Sequence, residues 1–227
     1  EVDQIHKWAT ALGLGVLSGI DLPHEVQGLV PSTAWKREAR GERWYPGETI
    51  SVAIGQGAVD VTPLSLAVMM ATVVNGGTRV TPYLLKAVND GDGWAPAQPP
   101  GPRSQVTLSP ETISAVTDGL WNVVNRAGTG GRARIEGRDV IGKTGTAQVI
   151  SLRGRTAAGE TDPEFFDHGW FVFAAPAHAP EIAGVVFGEH NEHGSLSAPI
   201  AKHVMETYFA KQDGLPLPVL PLPAPPE

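Results

Sequence analysis

The stretch Gly142-Lys143-Thr144-Gly145-Thr146-Ala147-Gln148 holds the residues whose types and spacing point to chemistry. Lys143 offers a compact cation with three donors, and Thr144 and Thr146 offer hydroxyls at the i, i+2 spacing of one strand face. Gly145 bares the backbone between them, as a glycine inside a strand does where something approaches closely. A cation beside two hydroxyls, over open backbone, is a receptor for a carboxylate. Gln148 is two residues past Thr146 on the same face and is a further candidate for that cleft. A metal reading attaches to His190 and His193, near Glu189 and Glu192. Their H-x-x-H spacing is not the helical H-E-x-x-H, and Gly194 argues for a loop, so we assign a polar turn and no metal. His168 stands just before an apolar strand, where packing is the simpler role. Gln56, between two glycines, reads as a tight backbone crossing.

The elements that must hold these residues follow from periodicity and punctuation. Val140-Ile141 and Val149-Ile150 flank the motif, so it reads as a strand. His168 to Ala175 and Glu181 to Glu189 are two further apolar strands, joined across Pro176 to Pro180 as a hairpin. Residues 151 to 166 read as a polar connector. Upstream, Ile5, Trp8, Ala9 and Leu12 make a helical stripe over Gln4 to Leu14 that Gly13 and Gly15 should end. Residues 24 to 49 read as loop, with Trp35, Trp44 and Tyr45 either pinning it or lining a cleft, and Ile50 to Gly57 as a short apolar segment.

Thr62 and Pro63 supply an N-cap and first position for a helix over Leu64 to Val74. That helix is apolar nearly all round and is expected to be buried; Asn75-Gly76-Gly77 ends it. Arg79 to Val88 reads as strand or extended chain and residues 90 to 105 as a Gly/Pro-rich loop. Ser109-Pro110-Glu111 opens a helix with Ile113, Val116, Leu120, Trp121 and Val124 at helical spacing, closed by Gly128-Thr129-Gly130-Gly131. A last helix is expected over Ala198 to Ala210 with Pro199 at its start. Residues 1–211 are then the folded part, and 212–227 a Pro-rich flexible tail in extended form.

Composition bounds the function classes. The net charge of -7 argues against a nucleic-acid partner, and the arginines at 126, 132, 134 and 138 are interrupted by Glu136 and Asp139, a solvated loop. The absence of cysteine excludes disulfides, thiolate metal sites and a cysteine nucleophile. No apolar run is long enough to span a membrane. Glu1 in place of an initiator Met leads us to expect a processed chain or a piece of a longer one.

Taken in order, these segments resemble the C-terminal part of the transpeptidase domain of class B penicillin-binding proteins, of the elongation type called penicillin-binding protein two. Lys143-Thr144-Gly145 matches the K-T-G motif of that family. The likeness also rests on Gly19-Ile20-Asp21-Leu22-Pro23, Trp44-Tyr45-Pro46-Gly47-Glu48-Thr49, Ile54-Gly55-Gln56-Gly57, Asn75-Gly76-Gly77, His168-Gly169-Trp170-Phe171 and Ala198-Pro199-Ile200-Ala201. The resemblance implies an α+β fold, a partial serine β-lactamase or D,D-peptidase-like domain holding the last three strands of an antiparallel sheet flanked by helices. It implies acyl transfer on peptidoglycan stem peptides ending in D-Ala-D-Ala, with no cofactor, and binding of β-lactams. Lys143 and Thr146 would be catalytic, Thr146 through its backbone N–H, and Thr144, Gly145, Thr146 and Gln148 would bind substrate. The implied place is the extracytoplasmic face of the bacterial inner membrane (the periplasm), anchored by an N-terminal helix outside these residues. The implied partners are a membrane glycan polymerase of the elongation machinery and the N-terminal half of the same domain.

Two family motifs, S-x-x-K and S-x-N, do not occur in the 227 residues; Ser32 to Lys36 is one residue too long. This polypeptide alone is therefore expected to be inactive and not acylated by penicillin. With the strand Glu181 to Glu189 missing its neighbour, an apolar sheet edge is expected to lie open and the isolated chain to be marginal or insoluble. Two other readings stay open: a catalytically inactive homologue acting as a binding or scaffold module, and a serine β-lactamase or D,D-carboxypeptidase relative.

Overall fold

The structure is a computed structural model, and it describes residues 1–149 and 163–219. Ile150, most of the polar connector and the tail beyond Val219 lie outside the described residues. Contacts divide the chain into two compact units, Glu1–Ala115 and Val116–Glu227.

The first unit holds α1 (Val2–Ala11), α2 (Thr33–Arg40), α3 (Pro46–Ala53), α4 (Pro63–Val74) and two small ribbons. Strand β1 (Thr78–Arg79) pairs with β4 (Ser104–Gln105), and β2 (Ala87–Asn89) pairs with β3 (Trp94–Pro96), both antiparallel. Helix α4 begins as its sequence dictates, with the Thr62 hydroxyl accepting from Ser65 N–H and Pro63 in the first turn. Its burial is narrower than its composition suggests: Ser65, Val68, Met70 and Thr72 are buried, and the remaining apolar residues are half-covered.

The region 24–49, expected as loop, instead contains α2 and opens α3. Ser32 caps α2 by accepting from Trp35 N–H, and Gly41 ends it at φ 67, a conformation that a β-carbon disfavours. The residue that α2 buries is Lys36, 3% exposed, whose ammonium donates to both Glu48 oxygens at 2.6 and 2.7 Å. The Trp44 and Tyr45 rings lie 5.8 and 4.7 Å from it. Those aromatics therefore pin the chain around a buried cation. The 90–105 loop is also corrected, because β3 and β4 fall within it.

The second unit is built on β5 (Ile141–Ala147), β6 (His168–Ala175) and β7 (Ile182–Gly188), an antiparallel sheet in the order β5-β6-β7. This confirms the α+β class and the three-stranded sheet flanked by helices. Helix α5 (Pro110–Asn125) carries the chain into this unit, with Ser109 Oγ accepting from Thr112 N–H at its start. Helix α6 (Gly194–Gln212) covers one sheet face. It starts four residues before the expected Ala198, so Pro199 sits inside the helix and not at its first position. Val140, Phe171, Phe173 and Ala175 meet Ala198, Ala201, Met205 and Phe209 in one apolar cluster with Val124 and Ala133. Part of the arginine-rich segment is held as well: Arg138 pairs with Asp213 at 2.6 Å and lies over the Phe209 ring.

Candidate functional site

Strand β5 is an outer strand of its sheet, paired with β6 through Lys143↔Val172, Thr144↔Phe171, Gly145↔Trp170 and Thr146↔Gly169. Alternation sends Gly142, Thr144 and Thr146 to the face that bears Phe171 and Phe173, and Lys143 and Gly145 to the face of Val172 and Trp170. The cation and the two hydroxyls thus leave the strand on opposite faces, and the common ground between them is the outer edge.

The direction of the backbone at that edge follows from α6. A Cβ added to Gly194 would strike the carbonyl oxygens of both Gly145 and Trp170 at once. Two oxygens so close to one point both lie between the strands, so Gly145 and Trp170 form a hydrogen-bonded pair. Their neighbours Thr144 and Thr146 then aim N–H and C=O away from β6, toward the outer edge. The Lys143 ammonium folds back to the same edge and donates to the Thr144 carbonyl at 2.7 Å. Lys143 and Thr146 are exposed, while Thr144 and Gly145 are half-buried. Gln148 is exposed one residue beyond the strand's end.

Thr129 joins the site without having been singled out by sequence. Its Oγ1 lies 2.6 Å from Thr144 Oγ1, across the glycine-rich turn that follows α5. That turn is tight: a Cβ on Gly130 would lie 3.0 Å from both Phe171 and Val123. The run Gly128-Thr129-Gly130-Gly131 was the available signal, read only as a helix terminator.

His168 packs edge-on to Phe187 and His190, and its Nδ1 accepts from His190 N–H at 3.0 Å. His190 Nδ1 in turn lies 3.1 Å from the Phe166 carbonyl. Both rings are therefore engaged in fixing the turn after β7. Among the described residues no group of three or more His, Asp or Glu side chains converges as a metal site. Gln56 lies in the first unit, in a turn where its N–H donates to the Ser51 carbonyl.

An antiparallel sheet covered on one face by a C-terminal helix, with a Lys-Thr-Gly-Thr outer strand, agrees with the partial serine β-lactamase or D,D-peptidase-like fold that the resemblance implies. Residues 1–206 match the penicillin binding protein transpeptidase domain, and the chain belongs to that family. It is 36% identical over 218 residues to the peptidoglycan D,D-transpeptidase MrdA of Acinetobacter baumannii, covering 95% of this chain and 32% of that protein. The chain thus spans about a third of that relative's length. The crystal structure of Pseudomonas aeruginosa PBP2 in complex with WCK 5153 superposes with a TM-score of 0.78 at 35% identity, over 95% of this chain and 44% of that one. A structure described as coordinating polymerization and crosslinking in a peptidoglycan synthase complex gives 0.68 at 34% identity, over 88% and 31%.

Proposed function

We propose that these residues form the substrate-binding C-terminal part of a peptidoglycan D,D-transpeptidase of the elongation type. The observation that carries the reading is the outer edge of β5, where the Lys143 ammonium meets the Thr144 carbonyl and the backbone of Thr144 and Thr146 is directed the same way. In this reading a serine Oγ attacks the penultimate D-Ala carbonyl of a stem peptide, and the terminal D-Ala leaves with a proton on its amine. The amine of a second stem peptide then displaces the serine, giving the cross-link and returning the proton.

Lys143 stabilises negative charge at the site and takes part in the proton relay. The Thr144 and Thr146 hydroxyls hold the terminal carboxylate of the peptide or of a β-lactam, and Gly145 leaves room for it. Thr146 N–H is one of two oxyanion donors, a contribution of about 3 kcal/mol. Gln148 lines the end of the cleft. The nucleophile and its base come from polypeptide outside residues 1–227, since neither S-x-x-K nor S-x-N occurs within them.

We place the complete protein at the extracytoplasmic face of the inner membrane, working with a glycan polymerase, as the likeness to a synthase complex supports. Among the described residues no helix is long and apolar enough to cross a membrane. The test begins with the coding sequence upstream of Glu1, where S-x-x-K and S-x-N are expected in frame. The product of that longer frame should form a covalent band with a fluorescent penicillin, and the 227-residue chain alone should not. A start codon at this point, or a labelled band from the short chain, overturns the reading; the first outcome would favour a scaffold.

A further inference from the structure

We propose that Asn191 and Ser197 are positioning residues for Thr146, fixing the place of its backbone N–H from the inner side of the sheet. The inference rests on the transpeptidase reading above. Thr146 N–H shares its planar peptide with the Gly145 carbonyl, which faces Trp170 N–H in the ladder, and Trp170 N–H shares its peptide with the Gly169 carbonyl, so whatever fixes Gly169 bears on the aim of Thr146 N–H. What stands behind Thr146 is its register partner, Gly169.

Gly169 is held from the far side with unusual closeness. Fully buried Ser197 donates from Oγ to the Gly169 carbonyl at 3.0 Å and accepts from Asn191 Nδ2 at 3.0 Å. A Cβ on Gly169 would strike Asn191 Oδ1 and would lie 2.6 Å from the His193 carbonyl. Gly188, opposite Gly169 on β7, would likewise strike the Asn191 amide. Gly194, the residue after His193, sits on the Gly145–Trp170 pair. Asn191 through Ser197 therefore cover the two consecutive β5–β6 pairs that contain Gly145 and Thr146.

This arrangement is locally unfavourable. Asn191 Oδ1 is buried with no hydrogen-bond partner, and the residues on either side, His190 at φ 50 and Glu192 at φ 66, are in the left-handed region without being glycine. A turn needed only to connect β7 to α6 has no reason to bury an amide whose acceptor is unused. Such local strain persists where the surrounding structure over-determines a geometry, which is the expected condition of a part that sets an active-site distance. The amide is retained for its donor end and its shape, which together wedge β6 against the motif strand.

The experiment measures acylation of the full-length gene product by a fluorescent penicillin, separating the dissociation constant of the initial complex from the acylation rate. Variants are Ser197→Ala, Asn191→Asp and, as a control on the functional reading, Lys143→Ala. Asn191→Asp keeps the shape and removes the donor, so it carries the test if Ser197→Ala folds poorly. A positioning role predicts an acylation rate lowered roughly 10- to 100-fold in Ser197→Ala and Asn191→Asp, the scale of a small misplacement of a reacting group, with initial binding nearly unchanged. If rate and binding fall together, or labelling tracks only the folded fraction, the pair is merely structural and the inference fails. If Lys143→Ala labels as fast as the parent, the reading of β5 fails and the positioning role falls with it.

Discussion

The two units solve the same problem, that of satisfying and covering a backbone, by different means. In the second unit the long strands β5, β6 and β7 satisfy one another, and an apolar cluster from Val124 to Phe209 locks α6 onto one face. In the first unit the strands are two or three residues long, and carboxylates do much of the same work. Asp21 accepts from Leu84 and Leu85 N–H, Glu25 from Ser18 and Gly19 N–H, and Asp3 from Thr33 N–H and Oγ1. Where ladders are short, side chains must complete the hydrogen bonding that regular structure supplies elsewhere. Both units bury apolar side chains, but in the first several segments of loop backbone also depend on groups that titrate.

The largest expected effect tests the packing side. Phe171 is fully buried in the cluster beneath β5, so Phe171→Ala should cost about 3–5 kcal/mol of unfolding free energy in denaturant melts. A loss below about 1 kcal/mol would mean that the cluster is not what holds the second unit.

Acid is the next lever, and it acts on the first unit. Hydrogen bonds from Thr33 hold the Asp3 carboxyl below its ordinary value, and those from Leu85 and Leu84 do the same for Asp21. At Glu25 burial pushes upward, but the Ser18 and Gly19 donors outweigh it and the net shift is down. Lys36 lowers Glu48 in the same way. A carboxyl whose folded pKa is depressed stabilises the fold above its unfolded value, about 4, and loses that contribution as pH falls through the lower folded value. Hydrogen exchange, corrected for its intrinsic pH dependence, should show residues 15–30 and 81–86 losing protection below about pH 4 before β6 does. Loss of β6 first would reverse the comparison.

The same division decides what could be read from sequence. Strands β5 to β7 and helices α4 and α5 were legible because burial on a face imposes a period and caps mark the ends. Helix α2 was not, because the side chain it buries is Lys36, whose partner Glu48 is twelve residues away and leaves no local period. The β2–β3 hairpin was missed because its residues are largely exposed, so nothing forces alternation. Pro199 misled for another reason: α6 begins where Gly194 fits against Gly145 and Trp170, a tertiary fact that overrides the proline's preference for a first turn. At the site, Lys143 to Thr146 were legible as types. Thr129 and the outward aim of the Thr146 backbone depend on strand register and a distant turn, which composition does not encode.

Two smaller effects sharpen the account of the first unit. Ser32→Ala removes the hydroxyl that accepts from Trp35 N–H at the start of α2, and about 1 kcal/mol of stability should go with it. An unchanged melt would show that the Lys36–Glu48 pair alone sets where α2 begins.

The smallest effect is the most local. Asp21 uses one oxygen for Leu84 N–H at 2.8 Å and the other for Leu85 N–H at 2.9 Å. This fixes a segment whose side chains Tyr83, Leu84 and Leu85 are 46, 65 and 51% exposed, so packing can contribute little to holding it. Asp21→Asn keeps one acceptor oxygen and turns the other position into a donor, leaving one of the two N–H groups facing an N–H. Global stability should hardly move, since the carboxylate is at the surface. Protection of Leu84 or Leu85 N–H, corrected for the intrinsic pH dependence of exchange, should nevertheless fall at neutral pH to the level that the parent reaches only in acid. If the substitution leaves both amides as protected as before, the carboxylate is incidental, and the claim that titrating groups hold exposed backbone in the first unit loses its clearest case.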